Sequence, residues 1–152
     1  MNNLKKTIVT QKKNRIGKDA AAQENLQADN TGLIVENNLQ RVLSSLDDSK
    51  AEDVVTIDLR GRSPLADYMV IASGGSQRHV SALADHLLYA MKDCNKGQTR
   101  VEGLSECDWV LIDLGDIIVH LFRPETREFY NIEKMWNTSD AGDRIHLRVG
   151  EN

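Results

Sequence analysis

The sequence predicts one α/β domain built on a mixed sheet of about five strands, with helices packed mainly on one face. Two observations support this fold class. Segments with the alternating or continuous apolar character of strands take turns with segments of helical periodicity, in the order α-β-β-α-β-β-β-α. The chain of 152 residues is also long enough for one hydrophobic core and short for two.

The first predicted helix follows an N-terminal segment without lasting hydrophobic periodicity. Residues 1–30 are rich in Lys, Asn, Gln and Ala, which favours a disordered basic tail. From Leu33 to Leu46 the apolar residues fall on one helical stripe, and we expect this helix to end near Ser49. The folded domain is therefore expected to occupy residues 31–137.

Two strands and a second helix are predicted next. Val55, Ile57 and Leu59 recur with a period of two, the pattern of a strand. Residues 68–72 form a continuous apolar run too short for a helix, which indicates a buried strand. Ser76 is placed to cap a helix whose apolar face would consist of Val80, Leu83, Ala84, Leu87, Leu88 and Met91.

The strongest local signal is a β-hairpin. Residues 108–114 and 117–122 are apolar, strand-like segments around a two-residue turn that begins with Gly115. A weaker strand over residues 99–101 precedes the hairpin, and with the strand and helix before it would form a right-handed βαβ crossover. Pro124 can begin a final helix.

The C-terminal residues 138–152 are expected to form a mostly polar tail. Ile145, Leu147 and Val149 alternate within it, so an added edge strand is also open.

The charge of the chain is distributed unevenly. The net charge is −4, but the first eighteen residues carry six basic and no acidic side chains, so the remainder carries −10. An acidic body suits a basic protein partner better than naked RNA, whose phosphates require a basic surface. No segment reaches the roughly 20 apolar residues of a membrane-spanning helix, and no secretory signal is recognised. We therefore expect a soluble intracellular protein. A bacterial cytoplasmic location is favoured over an organellar one, because residues 1–30 contain no serine and one arginine, unlike a mitochondrial presequence.

The motifs that could carry catalysis are incomplete. The turn from Ser73 to Ser76, Ser-Gly-Gly-Ser, leads from a strand into a helix, but it lacks the P-loop lysine and the third glycine of a dinucleotide fingerprint. A tight turn with a helix cap is the favoured interpretation. A nucleotidyltransferase would also need an Asp-x-Asp pair, whereas Asp113 and Asp116 are three residues apart across the hairpin turn. We predict no catalytic residues and no enzymatic activity.

Metal and redox sites are likewise unsupported by spacing. The histidines show no ligand pattern, and the two cysteines are interpreted as small core residues. These residues are His79, His86, His120, His146, Cys94 and Cys107. We predict neither a metal nor a cofactor.

One stretch near the C-terminus is the best candidate for binding a partner. It contains Trp109, Phe122, Phe129, Tyr130 and Trp136. Trp and Tyr dominate the energetics of protein interfaces. Phe122 and Phe129 are expected in the core, whereas Trp109 alternates with Leu111 and Asp113 on a mixed strand face and is a candidate for the surface.

Six blocks of the sequence carry a family resemblance. They are Asp53-Val-Val-Thr-Ile-Asp58, Asp67-Tyr68, Gly74 with Ser76-Gln-Arg-His-Val80, Val101-Glu-Gly103, Asp108-Trp-Val-Leu-Ile-Asp-Leu-Gly-Asp-Ile-Ile-Val-His120, and Arg127-Glu-Phe-Tyr130 with Trp136. These blocks resemble the Iojap family of ribosomal silencing factors over about residues 33–137. Gly75, where members often carry threonine, and Arg100, where glycine is usual, depart from the pattern in loops.

The resemblance implies a nucleotidyltransferase-like fold without the transferase chemistry. It also implies binding to ribosomal protein fourteen of the large ribosomal subunit, where the factor would sterically block the small subunit and repress translation. A homodimer of the free protein is similarly implied. At most a peripheral contact with RNA is expected.

The expected partner-binding residues are the aromatic and acidic side chains of the hairpin and the final helix, together with polar residues of the family-like blocks. They are Trp109, Leu111, Asp113, Asp116, Tyr130, Trp136, Tyr68, Arg78 and His79.

Two other functions stay open at this point. A ribosome-assembly factor could bind RNA through the basic tail, in which case removal of residues 1–30 would abolish binding. A nucleotidyltransferase-like enzyme could use the Ser-Gly-Gly-Ser turn, but it would need a carboxylate pair that the sequence does not offer.

Overall fold

The computed structural model describes residues 16–94, 98–136 and 144–145. The chain divides into two compact units, residues 1–36 and residues 37–152. The sheet and the surfaces considered for binding belong to the second unit.

The first helix, α1, spans Ile16–Asp48. Its end agrees with the prediction, but its beginning does not, because the sequence placed a disordered tail over residues 1–30 and a helix only from Leu33. Residues 16–30 contain three consecutive alanines with Gln, Glu and Leu nearby, all residues of high helix propensity. They form no apolar stripe, so periodicity alone gave no sign of the helix. Residues 1–15 lie outside the described part of the chain.

In the described ranges, six strands form one mixed sheet in the order β3-β4-β5-β2-β1-β6. The strands β2 and β5 pair in parallel, and the other neighbouring pairs are antiparallel. In chain order, the elements after α1 are β1 (Glu52–Asp58), β2 (Tyr68–Ser73), α2 (Gln77–Ala90), β3 (Arg100–Glu102), β4 (Trp109–Asp113), β5 (Ile117–Phe122), α3 (Pro124–Tyr130), a 3₁₀ helix (Ile132–Trp136) and β6 (Arg144–Ile145). The predicted mixed α/β sheet is confirmed.

Two predicted features, the βαβ crossover through α2 and the C-terminal edge strand, differ in detail in the structure. Strand β3 runs parallel to β2, as the crossover requires, but β5 and β4 lie between the two. Strand β6 pairs with β1 through Thr56 and Ile145, so the edge strand that the alternation at Ile145 allowed is present over two residues. Residues 137–143 and 146–152 lie outside the described part of the chain.

The back face of the sheet is the helical side. Helix α2 packs against β4 and β5, and its buried residues are Val80, Leu83, Ala84 and Leu87. A small cavity of about 30 Å³ is lined by Asn38 of α1, by Met91 after α2 and by Ile117 of β5, so α2 and the part of α1 that belongs to the second unit adjoin this face. Helices therefore lie mainly on one face, as predicted.

The opposite, front face of the sheet is only partly covered. Strand register assigns to it Val55, Ile57, Met69, Ile71, Trp109, Leu111, Asp113, Ile118, His120 and Phe122. Around β1 and β2 this face forms a buried apolar cluster, against which Ile132 and Trp136 of the 3₁₀ helix pack. Around β4 the side chains are half buried. The front face is therefore closed at one side of the sheet and more open at the other.

The hairpin between β4 and β5 has the predicted two-residue turn. The backbone N–H of Leu114 donates to the carbonyl of Ile117 at 2.9 Å. Gly115 adopts a φ of 93°, which glycine accepts without steric cost. Its N–H donates to Oδ1 of Asp113 at 2.8 Å, so this carboxylate stabilises the turn.

No helix within the described ranges is long and apolar enough to cross a membrane.

Candidate partner-binding surface

Trp109 lies at the start of β4, where the half-buried part of the front face begins. Its ring centroid is 4.9 Å from that of Phe122 and 4.9 Å from that of Tyr130. Phe122 is fully buried, as predicted, whereas Tyr130 is 53% exposed. Trp109 therefore connects the hydrophobic core to an aromatic surface, which consists of Trp109, Phe129 and Tyr130.

His120 fixes the orientation of Trp109. It lies in β5 beside Trp109, and its Nδ1 accepts a hydrogen bond of 3.0 Å from Nε1 of the indole. Burial lowers the pKa of His120 from 6.5 to about 4, so the imidazole is neutral at physiological pH. Ligand spacing in the sequence assesses His120 only as a metal ligand and does not reveal this hydrogen bond. The alternation of β5, which places His120 on the same face as Phe122, was the signal that could have found it.

Phe129 extends the aromatic surface outward. The prediction that Phe129 is a core residue is wrong, because the residue is 80% exposed. Helix α3 has only seven residues and none of them is buried, so an apolar residue on it has no core to enter. The Phe129 ring contacts that of Tyr130 edge-on, with centroids 5.0 Å apart. Two adjacent aromatic side chains are thus presented to solvent, a feature typical of interaction sites.

Arg127 anchors the helix that carries these two rings. Its Nε lies 2.6 Å from Oε1 of Glu133, and both side chains are mostly buried. One of its terminal nitrogens donates to the carbonyl of Asp53 at 2.7 Å and to Oγ of Ser73 at 2.8 Å. Arg127 therefore ties α3 to the 3₁₀ helix and to β1 and β2. No spacing rule reveals contacts between positions so distant in the sequence.

A cavity of about 650 Å³ opens beside these rings. It is lined by Trp109, Phe129 and Tyr130 and by the acidic residues Glu106, Asp108 and Glu125, with Gly103, Ser105 and Thr126 completing the wall. The predicted acidic neighbours, Asp113 and Asp116, are not among the lining residues. The three found here come from the loop between β3 and β4 and from α3, which only the fold brings together.

Leu111, Asp113 and Asp116 are placed differently by the hairpin. Leu111 and Asp113 share the front face with Trp109, but Asp113 is four residues along β4, which corresponds to about 13 Å at the rise of a strand. Asp116 is exposed in the turn and lines the small cavity with Met91 at the helical side. Leu111 is thus next to the aromatic surface, whereas Asp113 and Asp116 lie at the far end of the hairpin.

Trp136 and Tyr68 serve mainly in packing. Trp136 packs against the buried cluster of the front face, and the guanidinium of Arg62 lies 5.6 Å from its ring. Tyr68 is buried in β2, with the guanidinium of Arg60 5.1 Å from its ring. Tyr68 faces away from Trp109, because its register places it on the back face with Ile117. Tyr68 is therefore not part of the aromatic surface.

Arg78 and His79 occupy the first turn of α2. Arg78 is exposed, whereas His79 connects two backbone segments: its Nδ1 accepts from the N–H of Gly75 at 3.0 Å, and its Nε2 lies 2.8 Å from the carbonyl of Ser49. A histidine engaged at both ring nitrogens is positioned as a structural link. Neither residue lines the cavity beside Trp109.

The Ser-Gly-Gly-Ser turn forms a helix cap, as favoured from the sequence. Ser76 is the N-cap of α2, and its Oγ accepts from the N–H of His79 at 3.0 Å. A Cβ at Gly74 would meet Val80 and Leu83, so glycine here allows the turn to approach the helix closely. Among the described residues, no three His, Cys, Asp or Glu side chains are grouped as metal ligands.

Comparison with known proteins places these features in a family. The family model described as "Ribosomal silencing factor during starvation" matches residues 34–151. The chain is 52% identical over 106 residues to "Ribosomal silencing factor RsfS" of Zymomonas mobilis, which covers 70% of this chain and 80% of that protein. It is 33% identical to "Mitochondrial assembly of ribosomal large subunit protein 1" of Mus musculus, covering 70% of this chain and 48% of that protein.

Solved structures show the same fold. A crystal structure of a protein from Bacillus halodurans matches with a TM-score of 0.62 and 36% identity, covering 74% of this chain and 99% of that chain. An X-ray structure of a protein from Chromobacterium violaceum matches with a TM-score of 0.64 and 28% identity, covering 77% of this chain and 96% of that chain.

Proposed function

This chain belongs to the family of ribosomal silencing factors, and from that premise we propose that it binds ribosomal protein fourteen of the large subunit and sterically blocks joining of the small subunit. Translation is thereby repressed. The proposal places the protein with ribosomes in the bacterial cytoplasm.

The observation that carries this proposal is the exposed aromatic pair Phe129 and Tyr130 beside a cavity with an acidic rim. Exposing large apolar rings to water is unfavourable, and exposed apolar patches commonly mark interaction sites. Aromatic anchors flanked by carboxylates complement a protein surface that is basic and partly apolar. Ribosomal proteins that contact RNA are generally basic, because they neutralise phosphates.

Silencing by occupancy needs no chemistry at this surface. Within the part of the chain that the structure describes, no three His, Cys, Asp or Glu side chains are grouped to hold a metal for nucleotidyl transfer, and Ser76 of the Ser-Gly-Gly-Ser turn caps α2. Asp113 is engaged by the N–H of Gly115 in the hairpin turn. We therefore propose that the protein is not an enzyme and acts by excluding the small subunit.

A subunit-joining assay tests the proposal. Purified large subunits are incubated with excess full-length protein, small subunits are added, and the products are separated by sucrose-gradient sedimentation. We expect the protein to sediment with the large subunit and the joined ribosome peak to fall. An unchanged peak despite demonstrated binding would remove the silencing mechanism. No binding at all would remove the partner assignment as well.

A role in assembling the large subunit is the second candidate. It is favoured by one observation, the similarity to a mouse protein whose name describes mitochondrial assembly of the large ribosomal subunit. An assembly factor predicts that a deletion strain accumulates large-subunit precursors and that added protein leaves joining of mature subunits unchanged.

An assembly factor could also be tethered to ribosomal RNA through its basic N-terminal segment. Deletion of residues 1–15 removes five of the six basic residues of that segment and keeps the whole of α1. We propose that this variant still co-sediments with large subunits, because the aromatic surface is intact. Its binding should also depend less steeply on salt, by about one unit of slope for each lost phosphate contact. Complete loss of co-sedimentation would favour tethering by RNA.

A further inference from the structure

The cavity beside Trp109 combines aromatic walls with an acidic rim. Three rings, those of Trp109, Phe129 and Tyr130, and three carboxylates, those of Glu106, Asp108 and Glu125, line about 650 Å³. We propose that this cavity receives one arginine side chain of the ribosomal protein to which the chain binds. The inference rests on the proposed function and specifies the chemistry of its contact.

The aromatic wall is preformed. Trp109 and Tyr130 are inclined at 44° to each other, and Phe129 and Tyr130 at 83°, so the rings enclose a corner instead of stacking flat. A cation above a ring face within about 6 Å is attracted by the quadrupole of the ring. Since the bond to His120 fixes the indole of Trp109, little further ordering is needed when a cation enters.

The acidic rim is incompletely neutralised by the protein itself. Arg123 lies 3.6 Å from Asp108 and 3.4 Å from Glu125. Both distances exceed the roughly 2.7–2.9 Å of a charge-assisted hydrogen bond. Glu106 forms no ion pair with any residue of the described ranges. The rim thus carries three carboxylates and a guanidinium that lies near two of them, and a second cation would improve the local charge balance.

Arginine fits this combination better than lysine or a nucleobase. The guanidinium is planar, stacks on aromatic faces and can donate two parallel hydrogen bonds to a carboxylate, whereas the ammonium of lysine is a compact, strongly hydrated point charge. A nucleobase could also stack on these rings, but its phosphates would be repelled by the acidic rim.

Nuclear magnetic resonance can test the cavity without the ribosome. The full-length chain, labelled with ¹⁵N, is titrated with N-acetyl-arginine amide, N-acetyl-lysine amide and adenosine monophosphate. The indole N–H signal of Trp109 reports on the cavity, and that of Trp136, the second tryptophan of the chain, which is not in the cavity lining, serves as an internal control. Trp109→Phe assigns the two signals.

We expect the arginine probe to shift the Trp109 signal saturably and to bind at least about threefold more tightly than the lysine probe. The double variant Glu106→Gln/Glu125→Gln should weaken binding about fivefold. Glu128→Gln removes an exposed carboxylate from the same helix outside the cavity and should leave binding unchanged. Both variants should keep the Trp136 signal in place.

Several outcomes would overturn the assignment: no shift of the Trp109 signal, equal binding of the lysine probe, tighter binding of adenosine monophosphate, or wild-type binding by the double variant. Because no ribosome is present, these outcomes are independent of the proposed function. A chain that binds the arginine probe but not large subunits refutes the ribosomal source of the arginine. A chain that binds large subunits but not the probe refutes the cavity assignment alone.

Discussion

The indole nitrogen of Trp109 donates a 3.0 Å hydrogen bond to Nδ1 of His120, so the innermost wall of the aromatic surface is held by a histidine. A protonated imidazole offers no lone pair, and the bond therefore requires the neutral form. His120 is only 6% exposed, and burial lowers its pKa from 6.5 to about 4. The geometry of the surface is thus linked to the burial of one titratable group.

This linkage predicts loss of stability in acid. Between pH 6.5 and about 4, the unfolded chain binds a proton at this histidine that the folded chain does not, so the free energy of unfolding falls as the pH is lowered. The contribution of His120 is complete above pH 6.5 and amounts to about 3 kcal/mol when fully lost. Urea denaturation of wild type and of His120→Leu across this range measures the difference. If the free energy of unfolding changed with pH in the same way in wild type and in His120→Leu, His120 would be protonated equally in the folded and unfolded chains.

Arg127 should be far more important for stability than an exposed arginine in an ion pair. In Arg127→Ala, the mostly buried Glu133 loses its close partner and the carbonyl of Asp53 loses a donor, which should reduce the free energy of unfolding by about 3–5 kcal/mol. Arg60→Ala is the matched control, because Arg60 pairs with Asp58 at a more exposed site, and we expect a change below about 1 kcal/mol. Comparable losses in the two variants, measured by chemical denaturation, would contradict this role of Arg127.

Gly103 should not tolerate a side chain. It has a φ of 92°, and a Cβ there would lie 2.0 Å from the carbonyl oxygen of Trp109. Gly103→Ala must therefore displace the start of β4, and we expect a loss of more than about 3 kcal/mol. Gly61→Ala measures the cost of a positive φ alone, since Gly61 has a φ of 77° but open space around it. We expect its free energy of unfolding to fall by about 1–2 kcal/mol. Melting temperatures that fall equally in both variants would contradict the close approach.

Local sequence patterns predicted most of the fold. The alternation around Val55, the apolar run that became β2 and the two-residue turn at Gly115 each have a periodicity or turn chemistry that neighbouring residues determine. The early part of α1 escaped prediction because its helix formers carry no apolar stripe.

The candidate site was predicted less completely, because it is assembled from distant segments. Strand alternation identified Trp109 as a surface candidate, but it could not reveal that Glu106 and Glu125 would share a cavity with it. Phe129 was assigned to the core on hydrophobicity alone, whereas the shortness of α3 leaves it exposed. Contacts between residues far apart in sequence depend on the packing of whole elements, which spacing rules do not describe.

The double variant Phe129→Ala/Tyr130→Ala tests whether the exposed rings of α3 bind the large ribosomal subunit. Both rings are largely exposed, so folding stability should change by no more than about 1 kcal/mol. Tyr89→Ala is the matched control, because Tyr89 is 71% exposed on α2 at the helical side of the sheet. In quantitative co-sedimentation with purified large subunits, we expect the double variant to bind at least about thirtyfold more weakly and Tyr89→Ala to bind as wild type does. A folded double variant that binds large subunits with wild-type affinity would show that the exposed rings of α3 are not the binding surface.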